Sequence, residues 1–282
     1  MKPFTLNIRG NLLRVERPMI MGIINVTPDS FWEGSRAADA DSIAGRATAM
    51  IADGADIIDL GACSTRPGAE TCDAATEEAR IAVGVEAVRS VSADIPLSVD
   101  TFRASVARSA VERGADIVND ISGGDLDPGM MPTVASLHVP YIMMHMRGTP
   151  ATMQSMCDYP EGVVTEVVAD LSRKIERFRL AGVADIIADP GLGFAKTVGQ
   201  NYELLRSTAE IGELLGTPVL IGLSRKSMLT RPLGITAAEA LEATTAANTL
   251  ALVNGAAILR VHDVKAAVEA REIVSLTYPT PA

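Results

Sequence analysis

Aromatic residues are scarce, with five Phe, four Tyr and one Trp among 282 residues. A core with so few rings must be packed with Ile, Val, Leu, Met and Ala, which suits layered α/β architecture. Cysteine is also rare: Cys63, Cys72 and Cys157, with no C-x-x-C pair. An odd count at scattered positions reads as a reducing compartment, not a disulfide framework. There are three histidines and no H-E-x-x-H, which argues against a zinc hydrolase. No G-x-G-x-x-G follows the first apolar run, which weakens a dinucleotide fold. No apolar run reaches the roughly 20 residues that span a bilayer. The stretch 237–261 comes nearest, but Glu239, Glu242, Asn248 and Asn254 interrupt it. The opening M-K-P-F-T-L-N-I-R-G lacks an apolar signal core. Basic residues are outnumbered, and a net charge of −10 disfavours nucleic acid or an anionic membrane as partner. An anionic small substrate stays open, given a local cationic pocket. The expectation is a soluble cytoplasmic protein with no nucleic-acid and no membrane partner.

What the chain does have is a repeated pattern. The run I-M-G-I-I-N stops at Asn25, and the polar T-P-D-S comes after Val26. A short apolar run between turn signals reads as a strand buried on both faces, as in a parallel sheet covered by helices. G-A-D-I-I-D then starts at Gly54, G-A-D-I-V-N at Gly114, G-V-A-D-I-I-A-D at Gly182 and G-A-A-I-L-R at Gly255. Each glycine ends a helical pattern as a C′ cap and precedes a buried strand. Further strand candidates are 97–100, 141–145 and 219–223. Eight strands are therefore expected, beginning near 19, 56, 96, 116, 141, 185, 218 and 257.

Helical periodicity fills the gaps. Ile81, Val85 and Val88 share a face, as do Val164, Val167, Val168, Leu171, Ile175 and Phe178. A third face joins Leu204, Leu205, Thr208, Ile211 and Leu215. Thr236 and Glu239 form a capping box for a helix from about 237, and a short helix fits 130–137. The expected fold is a (β/α)8 TIM barrel over 19–282 with an N-terminal hairpin extension over 1–18. Residues 4–17 suit that hairpin, turning about Gly10-Asn11 and plugging the bottom of the barrel. An open doubly wound sheet is the runner-up.

A barrel puts its chemistry at the C-terminal strand ends. In order these carry Asn25; Asp59 and then S-T-R-P-G; Asp100; Asn119 and Asp120; His145; Asp189; S-R-K-S at 224–227; and Arg260 with His262. Singly, Asp59 or Asp120 is as readily a satisfied buried polar group as a ligand; together the eight ends suggest a pocket. Asp100, Asn119 and Asp189 suit a flat heterocycle with N–H and amino donors, and Lys226 could donate to its ring carbonyl. Met143 and Phe194 could flank it, although plain core packing is the commoner role for Met143. Arg66, Arg260 and His262, joined by Asn25 and Thr65, suit phosphate. Asn25 could ligate an accompanying Mg²⁺. Ser227, where the next helix should begin, suits a carboxylate. Heterocycle, pyrophosphate and carboxylate pockets side by side suggest group transfer with pyrophosphate leaving.

These residues also carry a family resemblance. N-V-T-P-D-S-F at 25–31, S-T-R-P-G-A at 64–69, S-V-D-T at 98–101 and N-D-I-S-G-G at 119–124 resemble the dihydropteroate synthases. So do M-H-M-R-G-T-P at 144–150, D-P-G-L-G-F at 189–194, S-R-K-S at 224–227 and R-V-H-D at 260–263. The resemblance implies a barrel that joins 6-hydroxymethyl-7,8-dihydropterin diphosphate to 4-aminobenzoate. It implies that Asp100, Asn119, Asp189 and Lys226 bind the pterin and that Asn25 binds Mg²⁺. Thr65, Arg260 and His262 would hold the diphosphate; Phe31, Arg66, Pro67, Ser224 and Ser227 would shape the aminobenzoate site. A homodimer is implied by resemblance alone. Two departures stand out: Cys63 replaces the family's usual glutamate, and Trp32-Glu33-Gly34-Ser35 replaces Ser-Asp-Gly-Gly. The rival readings are a non-catalytic pterin-binding paralogue and a methyltetrahydrofolate methyltransferase, which has no use for a diphosphate cluster.

Overall fold

The structure, a computed structural model, describes residues 1–26, 36–63 and 72–279, except the side chains of 36–38. Two antiparallel strands, β1 (Phe4–Ile8) and β2 (Asn11–Val15), form the N-terminal hairpin. Its two-residue turn is Arg9-Gly10, both at positive φ, one residue earlier than the sequence suggests. The barrel strands are β3 (Met19–Asn25), β4 (Ile57–Gly61), β5 (Leu97–Asp100) and β6 (Ile117–Asp120). They continue with β7 (Tyr141–Met144), β8 (Ile186–Asp189), β9 (Leu220–Ile221) and β10 (Ile258–Val261). All eight run parallel in the order β8-β7-β6-β5-β4-β3-β10-β9, and an Ala188–Val219 bridge joins the two ends. This is a (β/α)8 barrel; the open sheet is set aside. Every strand start falls within two residues of its expected position.

The outer layer begins with α1 (Arg36–Ala52), α2 (Ala74–Val91), α3 (Ala104–Glu112), α4 (Met130–Leu137) and α5 (Val163–Leu180). Then come α6 (Val198–Arg206), α7 (Thr208–Leu215), α8 (Ser227–Leu233), α9 (Leu241–Val253) and α10 (Val264–Thr277). Two expectations are corrected. The face running from Leu204 to Leu215 belongs to two helices, because Ser207 leaves helical geometry between them. Thr236 does bond Glu239, but only in a turn; the next helix starts at Leu241. Among the described residues no helix is long and apolar enough to cross a membrane.

The repeated glycines, Gly54, Gly114, Gly182 and Gly255, all sit at positive φ, where a side chain would be strained. The aspartates that come after three of them anchor the barrel floor. Asp56 accepts the Ile20 N–H, Asp116 the Leu97 N–H, and Asp185 the Asn7 N–H of the hairpin. Arg9 and Arg89 both pair with Asp116. The hairpin thereby closes the bottom: Leu6, Ile8 and Val15 pack on Met21, Ile57, Ile117, Ile142, Ile187 and Ile258.

Strand alternation then positions the site. Ile58, Leu60, Val99, Val118, Met143, Ala188 and Leu259 belong to the cluster shared with the helices. Their neighbours face the barrel axis. Two residues beyond the apolar floor residues Ile57, Ile117, Ile187 and Ile258 stand Asp59, Asn119, Asp189 and Arg260. The floor is apolar, and the layer above it is polar.

Candidate active site

The polar layer starts at Asp59, which is fully buried. Arg260 reaches it past the intervening strand β3, with Nε 2.7 Å and Nη2 2.6 Å from Oδ2. The same Nη2 stands 2.7 Å from Asp100 Oδ2. Burial opposes the Arg260 charge, but Asp59 and Asp100 outweigh it and raise its pKa. Burial pushes the Asp100 carboxyl up to about 7; Arg260 opposes this and Asp59 adds to it. Asn119 directs its amide nitrogen at Asp59, 3.4 Å away, which leaves its carbonyl oxygen as the acceptor for a ligand. Asp100 and Asn119 are register partners on neighbouring strands.

Asp189 ends β8. Its Oδ1 accepts the Gly191 N–H at 2.7 Å, and burial raises its pKa against the pull of Lys226. Lys226 donates to Leu192 O at 2.6 Å and lies 4.9 Å above the Phe194 ring. Burial pushes this amine down to about 8, with Asp189 opposing. A side chain at Gly193 would stand 3.2 Å from the Lys226 stem, so the glycine gives Lys226 its path. The result is a carboxylate, an ammonium and a half-buried ring on one side of the mouth.

Strands β9 and β10 supply a third group. Ser224 Oγ and His262 Nδ1 are 2.9 Å apart. Arg225 sits at φ +58 and grips Asp263 with two hydrogen bonds, 2.8 and 3.0 Å. That clamp fixes the S-R-K-S turn, and Lys226 becomes the N-cap position of α8. Ser227 is therefore the first helical residue, and it is exposed. Asn25 is exposed at the end of β3; its Oδ1 and Asp100 Oδ2 both border Gly61, at 3.5 and 3.9 Å from where a Cβ would stand.

The structure thus brings together Asp100, Asn119, Asp189, Lys226, Phe194, Arg260 and Asn25, and pairs Ser224 with His262 beyond the ends of β9 and β10. Phe31, Thr65, Arg66 and Pro67 lie outside the described residues, as does the Trp32 segment. Met143 is a correction: it is fully buried on the helix side of β7 and packs beside Gly123. Alternation turns Met144 inward instead, into a cluster with Ile121, Met146 and Met153 against which Phe194 packs. Asp120 is the satisfied buried group of the two weighed; it accepts from Tyr141, Ser122 and Gly124. Asp59 is the one that builds the site.

The reduced-cysteine reading is also corrected. Cys63, at the end of β4, and Cys72, before α2, form a disulfide with a Cα–Cα distance of 6.0 Å, within the usual range. Glu77 lies close enough to join them as a metal ligand. The bonded sulfurs and the Arg103–Glu77 ion pair leave that trio no free donor set. Two residues escape the sequence reading altogether: Lys196, which stands 3.0 Å from His145, and Met144. No sequence signal fixes the in-out phase of β7, which is buried throughout, and none marks a buried lysine.

Barrel and mouth define a class: a (β/α)8 protein with carboxylates, an ammonium and a ring arranged for a flat polar heterocycle. The comparisons with known proteins agree. Residues 21–262 match the pterin binding enzyme family. Dihydropteroate synthase from Synechocystis sp. is 43% identical over 254 residues, 89% of this chain and 87% of that protein. The folic acid synthesis protein fol1 of Schizosaccharomyces pombe is 40% identical over 88% of this chain, which spans only 34% of that longer protein. The structure of Xanthomonas albilineans dihydropteroate synthase with 4-aminobenzoic acid aligns with a TM-score of 0.89 at 36% identity, covering 99% of this chain and 100% of that one. The chain belongs to the pterin-binding enzyme family, and within it to the dihydropteroate synthases.

Proposed function

We infer that this chain joins 6-hydroxymethyl-7,8-dihydropterin diphosphate to 4-aminobenzoate, giving 7,8-dihydropteroate and diphosphate. The observation that carries the reading is the inward polar layer of Asp100, Asn119, Asp189 and Lys226 beside Phe194. Carboxylate oxygens of Asp100 and Asp189 accept from the pterin N–H and amino groups, and Lys226 donates to the ring carbonyl. The C–O bond at the pterin methylene breaks and its electron pair leaves with diphosphate. The aniline nitrogen then bonds that carbon and releases a proton. Buried carboxylates stabilise the positive charge that develops on the ring during ionisation, because they are fixed and poorly screened. An aniline needs no strong base, and the reading assigns none.

Arg260, through the Nη1 group that Asp59 and Asp100 leave unused, and His262 would hold the leaving diphosphate with Thr65. Ser224, Ser227, Phe31, Arg66 and Pro67 would take the aminobenzoate. Mg²⁺ fits the donor chemistry at Asn25, a hard carbonyl oxygen with the Asp100 carboxylate nearby. When bound it would neutralise charge on the departing diphosphate. The cytoplasmic setting and a homodimer belong to the same proposal. The packed pair α9 and α10 exposes Leu250, Val253, Ile273 and Leu276, an apolar face that a second copy would cover. Light scattering at the mass of two chains supports the dimer; one chain mass refutes it. For the reaction, purified protein given both substrates and Mg²⁺ should yield dihydropteroate, detected by mass. Its absence with folded protein overturns the activity.

A further inference from the structure

Beneath the mouth lies a buried cation with no carboxylate among its hydrogen-bond partners in the described residues. Lys196 is buried, and its ammonium donates to His145 Nδ1 at 3.0 Å and to Phe194 O at 2.9 Å. His145 O lies 3.5 Å away. His145 is itself buried, and burial, aided by the Lys196 charge, pushes its imidazole well down. It is therefore neutral, and Nδ1 is free to accept.

The segment that Lys196 closes carries two of the heterocycle residues. Asp189 opens it and Phe194 stands near its end. It is held at every turn. The His145 N–H bonds Asp189 O at 2.9 Å. Gly191, at φ +72, lies so near His145 O that any Cβ would stand 2.0 Å from it. Gly193 N–H bonds Asn201 Oδ1 at 2.6 Å, and Tyr159 donates to Ala195 O at 3.0 Å. Ala195 takes φ +51, a left-handed conformation that a non-glycine residue keeps only when its surroundings impose it. Lys196 ties this strained turn to β7.

We propose that Lys196, seated on His145, is a positioning residue for heterocycle binding: it fixes the 190–196 turn beneath Phe194. The proposal rests on the reading of the mouth as a pterin site. Groups on several elements set the Lys196 charge. Burial pushes Lys196 down to about 7; Asp189 on β8 opposes, Lys226 and Arg147 add, and Cys157 opposes weakly. Lys174 on α5 bears on His145. Burial raises the Asp189 pKa, and Lys226, the Gly191 N–H, Arg260 and Lys196 oppose that rise. The Lys196 charge is present below about pH 7 and fades above it.

The test compares wild type with Lys196→Met, which keeps the stem and removes the charge. Binding of the pterin diphosphate is measured by calorimetry from about pH 6 to about pH 9, with circular dichroism and melting as fold controls. The variant should bind roughly tenfold more weakly at the acid end, the effect of losing about one charge-assisted hydrogen bond that holds the turn. That ratio should shrink as pH rises past about 7, because wild type loses the same charge. KM for 4-aminobenzoate should stay within about twofold, since the expected loss is far smaller than one hydrogen bond. His145→Leu should behave like Lys196→Met. His145→Asn, whose amide oxygen can stand in for Nδ1, should restore pterin binding. These two variants decide the question even if Lys196→Met does not fold. Equal pterin affinity in wild type and Lys196→Met, or a weakening that is the same at every pH, overturns the positioning role. Wild type that binds no pterin overturns the functional reading and this inference with it.

Discussion

Substituting Asp189 by Asn changes one atom of the site and tests how the pterin carboxylate works. Asp189 Oδ1 accepts the Gly191 N–H at 2.7 Å, and no second hydrogen bond from the described residues reaches the carboxylate. The Gly191 turn cannot move to suit a new partner, because it already lies against His145 O. An asparagine must therefore keep its carbonyl oxygen on Gly191 and turn its NH2 toward the ligand. There a donor would meet the N–H and amino donors of the heterocycle. The lost charge-assisted bond is worth about 1.5–3 kcal/mol. That is about 10-fold to 150-fold in affinity, before any repulsion between facing donors. Flipping the amide only moves the clash to Gly191. The fold should hold, because burial already disfavours the ionised carboxylate. The assay is pterin diphosphate affinity by calorimetry with kcat/KM near neutral pH, checked by circular dichroism. A variant within about threefold of wild type in both would refute the assignment of Asp189 to the pterin.

Other outcomes rest on the same geometry. Lys226→Ala should abolish measurable turnover while melting within a few degrees of wild type, since among the described residues its ammonium bonds only Leu192 O; near-normal rates would remove it from the pocket. The pH profile of kcat/KM for the pterin should be bell-shaped. Asp100, pushed up to about 7, must be ionised to accept, so the rate falls as pH drops through that value. Lys226, pushed down to about 8, must be charged to donate, so the rate falls again above it; a flat profile from about pH 6 to about pH 9 would contradict both. Reducing Cys63–Cys72, which closes a nine-residue separation, should cost about 2–3 kcal/mol of stability by loop entropy. A melting temperature unchanged by reductant, with both thiols trapped, would contradict this. Chelating Mg²⁺ should strongly lower turnover, and undiminished rates would take Asn25 out of the metal role.

The barrel is legible in the sequence because its signals are local. A glycine at positive φ must come after each of four helices, and three floor aspartates must meet backbone N–H groups, so G-A-D recurs in the chain. The inward polar layer is legible for the same reason, as strand ends with alternating residues. What sequence alone misses depends on phase or on distance in space. It offers Met143 where Met144 faces inward, because a fully buried strand shows no polar alternation to fix its phase. Cys63 and Cys72 meet only because β4 ends where α2 begins. Arg260 reads as a free phosphate ligand in sequence, and only the fold shows Asp59 and Asp100 already holding it. The break at Ser207 is invisible to a periodicity that continues on both sides.

The central claim is that one mouth couples departure of diphosphate to capture by an amine. The most direct measurement is diphosphate released against dihydropteroate formed, by purified protein with pterin diphosphate and Mg²⁺, with and without 4-aminobenzoate. The account predicts one diphosphate for each dihydropteroate when 4-aminobenzoate is present. Pterin diphosphate that binds tightly yet yields no dihydropteroate would contradict it, leaving a pocket without the enzyme.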